Sequence, residues 1–262
     1  MLRHPAVAGT FYPADPRAHA GAVDGFLATD AAPAAAIGVV APHAGYVYSG
    51  AVAGAVYARV EVPARVLVLG PNHTGLGALE ALWPAGAWQT PLGEVPIDAA
   101  LTAALSRAPG VEPDVGAHAR EHALEVQVPF LQRRRAGVAV AALCLGPLTW
   151  PECEALGRAV ARAARGALLV ASSDMTHYEP AAVAREKDAR AIERILALDP
   201  EGLHRVVRRE GITMCGVIPT TVMLVAAREL GATSAELVRY AHSGEVTGDD
   251  DAVVGYAGVV VR

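Results

Sequence analysis

The chain is short of cysteine, of positive charge and of long apolar runs, and each shortage removes a class of protein. Its three cysteines, odd in number and widely spaced over 262 residues, build no disulfide framework and suit a reducing compartment. With a net charge of −5 there is no broad basic field of the kind nucleic acid requires. Arg133-Arg134-Arg135 is the one basic cluster, and it falls where a helix is expected to end, a position that favours cations. No apolar run approaches the roughly 18 residues of a membrane span, and Met1-Leu-Arg-His-Pro5 lacks a signal-peptide core, so a cytoplasmic protein is expected. Repeats, low-complexity tracts and linkers are also missing. What is present is core material: 53% of residues are hydrophobic and 19% charged, which supports a single domain over residues 1–262.

Strand and helix patterns alternate along that domain. Short apolar runs predict strands at 37–41, 65–69, 79–83, 138–145, 167–172, 236–241 and 253–261. Amphipathic or small-residue stretches predict helices at 16–27, 49–57, 98–108, 121–133, 151–164, 180–198 and 220–230, with a short one from Pro200. Val126, Val128 and Pro129 argue against continuity in the fourth of these. The alternation defines an α/β fold, a single-domain α/β/α sandwich with a mostly parallel central sheet.

Three of the predicted strands release a histidine at their C-terminal ends: Ile37–Ala41 before Pro42-His43-Ala-Gly-Tyr46, Val66–Leu69 before Gly70-Pro-Asn-His73, and Leu168–Ala171 before Ser172-Ser-Asp174-Met-Thr-His177. A single strand-end histidine carries little weight. Parallel sheets gather ligands beyond the carboxyl ends of their strands, so three of them point to a shared site. Asp174 has two readings, a partner for an imidazole or a helix N-cap after the strand. Cys215, between Thr213-Met and Gly216 and just before a helix, is the cysteine placed to act as a thiolate. Cys144 lies inside a strand and reads as core, and Cys153 opens a helix and reads as inert. His118-Ala-Arg-Glu121-His122 matches the H-x-x-E-H pattern of inverted zinc peptidases, which keeps a zinc hydrolase among the readings. Glu121, His122 and Glu125 are expected to border the same cleft.

Gly9-Thr-Phe-Tyr-Pro13, Pro42-His-Ala-Gly-Tyr46 with Ser49-Gly50, and Gly70-Pro-Asn-His73 together resemble the MEMO (mediator of cell motility) family. Glu121-His-Ala-Leu-Glu125, Ser172-Ser-Asp-Met-Thr-His177, Met214-Cys-Gly216 with Pro219, and Ser243-Gly244 ahead of Val254-Gly-Tyr256 follow in the family's order. The resemblance covers nearly the whole chain and matches the microbial type that is named for co-occurrence with radical-SAM and AMMECR-type proteins, which are thereby the partners it suggests. It implies the fold of LigB-type class III extradiol dioxygenases, which hold non-haem Fe(II) with two histidines and a carboxylate. In the MEMO family a cysteine replaces that carboxylate. Carried over by position, His43, His73 and Cys215 are the implied metal ligands, His177 the acid/base group with Asp174 beside it, and Tyr46, His122 and Glu125 the substrate pocket. Fe(II) is the implied metal, while a thiolate also suits Cu or Zn.

These observations support a metal-dependent oxidoreductase of dioxygenase-like type acting on an unidentified small molecule. They also leave two other readings open: a non-catalytic module that holds a small acidic ligand or peptide in the old cleft, and the zinc hydrolase.

Overall fold

The apolar runs that precede the histidines lack the alternation of a half-exposed strand, and this dictates where they must lie. A strand that is apolar on both faces needs cover on both faces. In a computed structural model, which describes residues 1–262, that cover comes from two layers of helices.

In chain order the elements begin with β1 (Leu2–Arg3), α1 (Pro16–Leu27), β2 (Gly38–Ala41), α2 (Tyr46–Ala58), β3 (Arg65–Pro71), β4 (Glu80–Leu82), β5 (Ala87–Thr90) and β6 (Gly93–Pro96). They continue with α3 (Ala99–Leu105), β7 (Val111–Pro113), α4 (Gly116–Ala119), a 3-10 turn at Glu125–Gln127, α5 (Val128–Arg134), β8 (Ala139–Leu145) and α6 (Trp150–Ala163). The last third holds β9 (Leu168–Ser172), β10 (His177–Glu179), α7 (Ala181–Leu196), α8 (Pro200–Arg209), α9 (Val217–Glu229), β11 (Ala235–His242), α10 (Gly244–Thr247) and β12 (Val253–Val261).

The main sheet runs β10-β12-β2-β9-β3-β8-β4-β7, with β11 on the far side of β12. Its centre, β2-β9-β3-β8, is parallel. β12 and β4 join it antiparallel on either side. A second small sheet, β1-β5-β6, seats the N-terminal residues against the excursion between β4 and α3. Alternate residues of the central strands enter two cores. Val40, Leu67 and Leu69 face α6, α8 and α9, while Val39, Val66 and Val68 face α1, α2 and α5. This is the expected α/β sandwich with a mostly parallel centre. No helix is long and apolar enough to cross a membrane.

The stretch expected as one helix over 121–133 is broken. Residues 121–124 are irregular, a 3-10 turn follows, and α5 starts only at Val128 with Pro129 in its first turn, where the missing N–H costs nothing. Asp174 caps no helix, because β10 follows it instead.

Candidate metal centre

β9 lies between β2 and β3, so the segments leaving these three strands diverge from neighbouring points at one edge of the sheet. His43 follows β2, His73 follows β3, and Ser172 ends β9. The geometry then fixes which nitrogen of each ring is free. Ser172 has one hydroxyl proton, and it goes to the Ala123 carbonyl, 2.6 Å away, which can only accept. The amide of Gln127 donates to the same Ser172 Oγ from 2.8 Å, an orientation set by its second bond to the Pro42 carbonyl and by the Tyr57 hydroxyl donating to its Oε1. Ser172 Oγ therefore accepts from His43 Nδ1 at 2.9 Å, and Nε2 of His43 is left as a bare lone pair. His73 is set in the same sense. Its Nδ1 donates to Glu121 Oε1 at 2.9 Å and its backbone N–H to Oε2 at 2.6 Å, which leaves its Nε2 free.

Burial works on these groups in opposite senses. It pushes the His43 ring well below its ordinary pKa, helped by the neighbouring His122, His73 and His177, so the ring is neutral, the form that ligates a metal. Burial raises the Glu121 carboxyl, but hydrogen bonds from His73 and Ala123 and the adjacent imidazoles outweigh it and hold the group below the usual range. The carboxylate stays charged and orients His73.

His122 completes a trio. The rings of His73 and His122 stack at 4.7 Å, and both meet the His43 ring edge-on at 5.2 and 5.4 Å. Their ligating atoms lie within 4.8 Å of one another. Burial lowers the His122 ring as well, and Phe11 packs against its outer side at 4.7 Å.

Cys215 reaches the His43 ring from the loop before α9. Its Sγ sits 3.1 Å from His43 Nε2 and accepts the Asp174 backbone N–H at 3.3 Å. The loop can come this close because residue 216 is glycine: a Cβ there would lie 2.3 Å from the Ser172 carbonyl oxygen. Burial, with the nearby Asp174 charge, pushes the thiol well above its ordinary pKa, so without a metal it is an S–H donor to His43. A metal at roughly 2.3 Å from sulfur and 2.1 Å from nitrogen would put tetrahedral donors about 3.6 Å apart, a small opening of this pair. Cys144 and Cys153 are fully buried, and burial pushes the second thiol up to about 12.

Asp174 is buried and accepts the His43 backbone N–H at 2.7 Å; burial raises its carboxyl, and this bond opposes the rise. His177 stands on β10, clamped by Thr213, whose hydroxyl takes its N–H at 2.7 Å and whose carbonyl takes its Nδ1–H at 2.9 Å. Its Nε2 is free.

Tyr46 and Glu125, expected in the pocket, stand elsewhere. Tyr46 is buried beneath the cleft, with its hydroxyl donating to the Val126 carbonyl at 2.7 Å and its ring among Tyr12, His19 and Phe130. Glu125 binds Arg3 at 2.6 Å, the Tyr12 hydroxyl at 2.5 Å and the N–H groups of Ala6 and Val7, so both of its oxygens are committed. It ties the N-terminal segment to the loop that carries His122. The H-x-x-E-H segment is not a zinc motif: His118 is buried between Trp83 and Trp88 with Nε2 on the Ala81 carbonyl, while Glu121 serves His73. The roles of Ser172, Gln127 and Thr213 are not visible in the sequence, since only tertiary structure brings them to the rings. A cavity of about 500 Å3 around Ile37, Pro63 and Ala167 opens at the amino ends of the strands, away from all of these groups.

The fold is thus an α/β sandwich that brings three imidazoles together at the carboxyl ends of its parallel strands, with a thiol against one of them, a donor set that could hold a metal. Comparison with known proteins narrows this further. The model of the family described as Memo-like protein matches residues 3–260, and the chain belongs to that family. It is 44% identical over 282 residues to a MEMO1 family protein of Methanopyrus kandleri, covering 100% of this chain and 99% of the relative. A MEMO1 family protein of Aquifex aeolicus is 42% identical (99% and 98% covered), and one of Methanosarcina barkeri 41% identical (100% and 100%).

Proposed function

We propose that the protein is a metal-dependent oxidoreductase whose metal is held by His43, His73 and Cys215. The observation that carries this reading is the 3.1 Å approach of Cys215 Sγ to His43 Nε2, the nitrogen that the Ser172–Gln127 network leaves without a proton. Hydrogen-bonded outer partners of this kind orient metal ligands and raise their basicity. Fe(II) is the metal that the family resemblance implies, and the thiolate in place of a carboxylate shifts the donor set toward Cu or Zn. The metal would supply Lewis acidity or one-electron chemistry toward a small substrate. This chain's own residues do the rest. Cys215 gives up its thiol proton when it ligates, Asp174 holds the His43 backbone in place, and His177 accepts or returns a proton at Nε2 while Thr213 fixes its other nitrogen.

The mutual reach of His43, His73 and His122 favours a second arrangement, in which His122 is the third ligand and Cys215 a neighbour. One experiment separates them. Protein purified without oxygen is titrated with Fe(II), with oxygen uptake followed in the presence of a reductant. The proposal expects one tightly bound ion, oxygen consumption, and loss of both in His43→Ala and Cys215→Ala. Retention of metal in Cys215→Ala with loss in His122→Ala selects the three-imidazole set. A folded wild-type protein that takes up no metal overturns both.

A further inference from the structure

Cys215 borders a second space besides the one it shares with His43. A cavity of about 210 Å3 opens beside it, walled by Pro71, Leu145, Pro147 and Ile218, with Asn72 and Arg208 also in its lining. At about 30 Å3 per molecule this is the room of roughly seven waters, the scale of a small organic ligand.

Its polar groups are unequal. The amide of Asn72 is committed to its own turn, donating to the Leu76 carbonyl at 2.7 Å and accepting from Thr74 and Gly75. Arg208 is the only charged residue in the lining. It enters no ion pair, although the adjacent Arg209 binds Glu210 at 2.7 Å. The backbone N–H groups of Val217 and Ile218, in the same lining, have no acceptor. The one full charge there is thus positive, carried by an exposed guanidinium with the two free N–H groups in the same lining. A guanidinium matches a carboxylate through two parallel hydrogen bonds, whereas a cation would be repelled.

We propose that this cavity receives a small organic carboxylate, with Arg208 as the residue that selects it and sets it beside Cys215. The inference names the substrate class for the reaction site proposed above and rests on that reading of the cleft.

The test uses the thiol itself in full-length protein stripped of metal with EDTA, so its outcome is independent of metal binding. Cys215 is alkylated with iodoacetate, an anion, or with iodoacetamide, its neutral counterpart. In each case the thiolate sulfur displaces iodide, and mass spectrometry locates the product. The proposal expects the iodoacetate-to-iodoacetamide rate ratio at Cys215 to exceed that of the unfolded protein by about tenfold and to shrink in salt. Arg208→Gln should abolish the excess while leaving the iodoacetamide rate unchanged, and Arg208→Lys should restore part of it. A ratio equal to that of unfolded protein, or one indifferent to Arg208→Gln, overturns the proposal. If the thiol reacts with neither reagent, ligand-observed NMR decides: benzoate must bind in preference to benzamide and lose that preference in Arg208→Gln, and equal binding of the two overturns it. Failure of Fe(II) to bind in the titration above would overturn the metal reading without altering this ratio.

Discussion

Ser172 shows how little chemistry a residue must carry to govern a site. Its single hydroxyl decides the tautomer of His43, because it spends its proton on Ala123 and can then only accept. Ser172→Ala removes that acceptor and leaves the Gln127 amide short of a partner. Fe(II) affinity should fall about 10–100-fold in a protein that still folds, read by metal titration beside circular dichroism. Glu80 makes a different point. It is 8% exposed, its Oε2 has no partner, and burial with the nearby Glu152 charge pushes its pKa up to about 7. Below about pH 4.5 the carboxyl is protonated whether the chain is folded or not. As pH rises toward 7 and beyond, the unfolded chain ionises it first and stability is lost. Glu80→Gln should therefore unfold at a higher temperature than wild type at pH 8, by up to about 3 kcal/mol, with the gap closing near pH 4.5. A gap of the same size at both pH values would show that titration is not the cause.

Among the elements, α9 matters most for the site, because its first turn carries the Cys215 loop onto β9. Gly216→Ala would drive a methyl group into the Ser172 carbonyl, so the loop must back away. Overpacking of this kind costs about 1–3 kcal/mol. The variant should melt lower than wild type and, unlike other destabilised variants, bind Fe(II) more weakly. The central elements were legible in the sequence for a plain reason: β2, β3, β8 and β9 are short apolar runs ending in turn residues, and burial on both faces is what such runs require. The meeting of His43 and His73 was legible through the rule about strand ends. What was not legible depended on side-chain direction across the fold. Tyr46 stands three residues after His43 yet turns under the sheet's end, and Glu125 follows His122 by three yet faces Arg3, whose partner lies 122 residues away. The same limit made His118-Ala-Arg-Glu-His122 resemble a helical zinc motif, although α4 stops at Ala119.

For the molecule as a whole, a metal that binds only the folded state must raise its stability by mass action. At a free concentration one hundred times its dissociation constant the gain is about 2.7 kcal/mol, which for a chain of this size is about 5–10 °C in Tm. Fe(II) under nitrogen should give that shift in wild type and none in His43→Ala. A wild-type Tm indifferent to the metal would mean that the ion binds no better to the native fold than to the unfolded chain.

The strand order β2-β9-β3 has a consequence during synthesis. β2 and β3 leave the ribosome early, but they are not neighbours, and the strand that must lie between them arrives only with Leu168–Ser172. Until then two edges rich in valine and leucine have no native partner on that side, a hazard for aggregation that a nascent chain has to outlast. The thiol comes later still, 172 residues after His43. With the ligand set proposed above, a metal ion could not nucleate this fold through all of its donors; it would be captured only once nearly the whole chain had been translated.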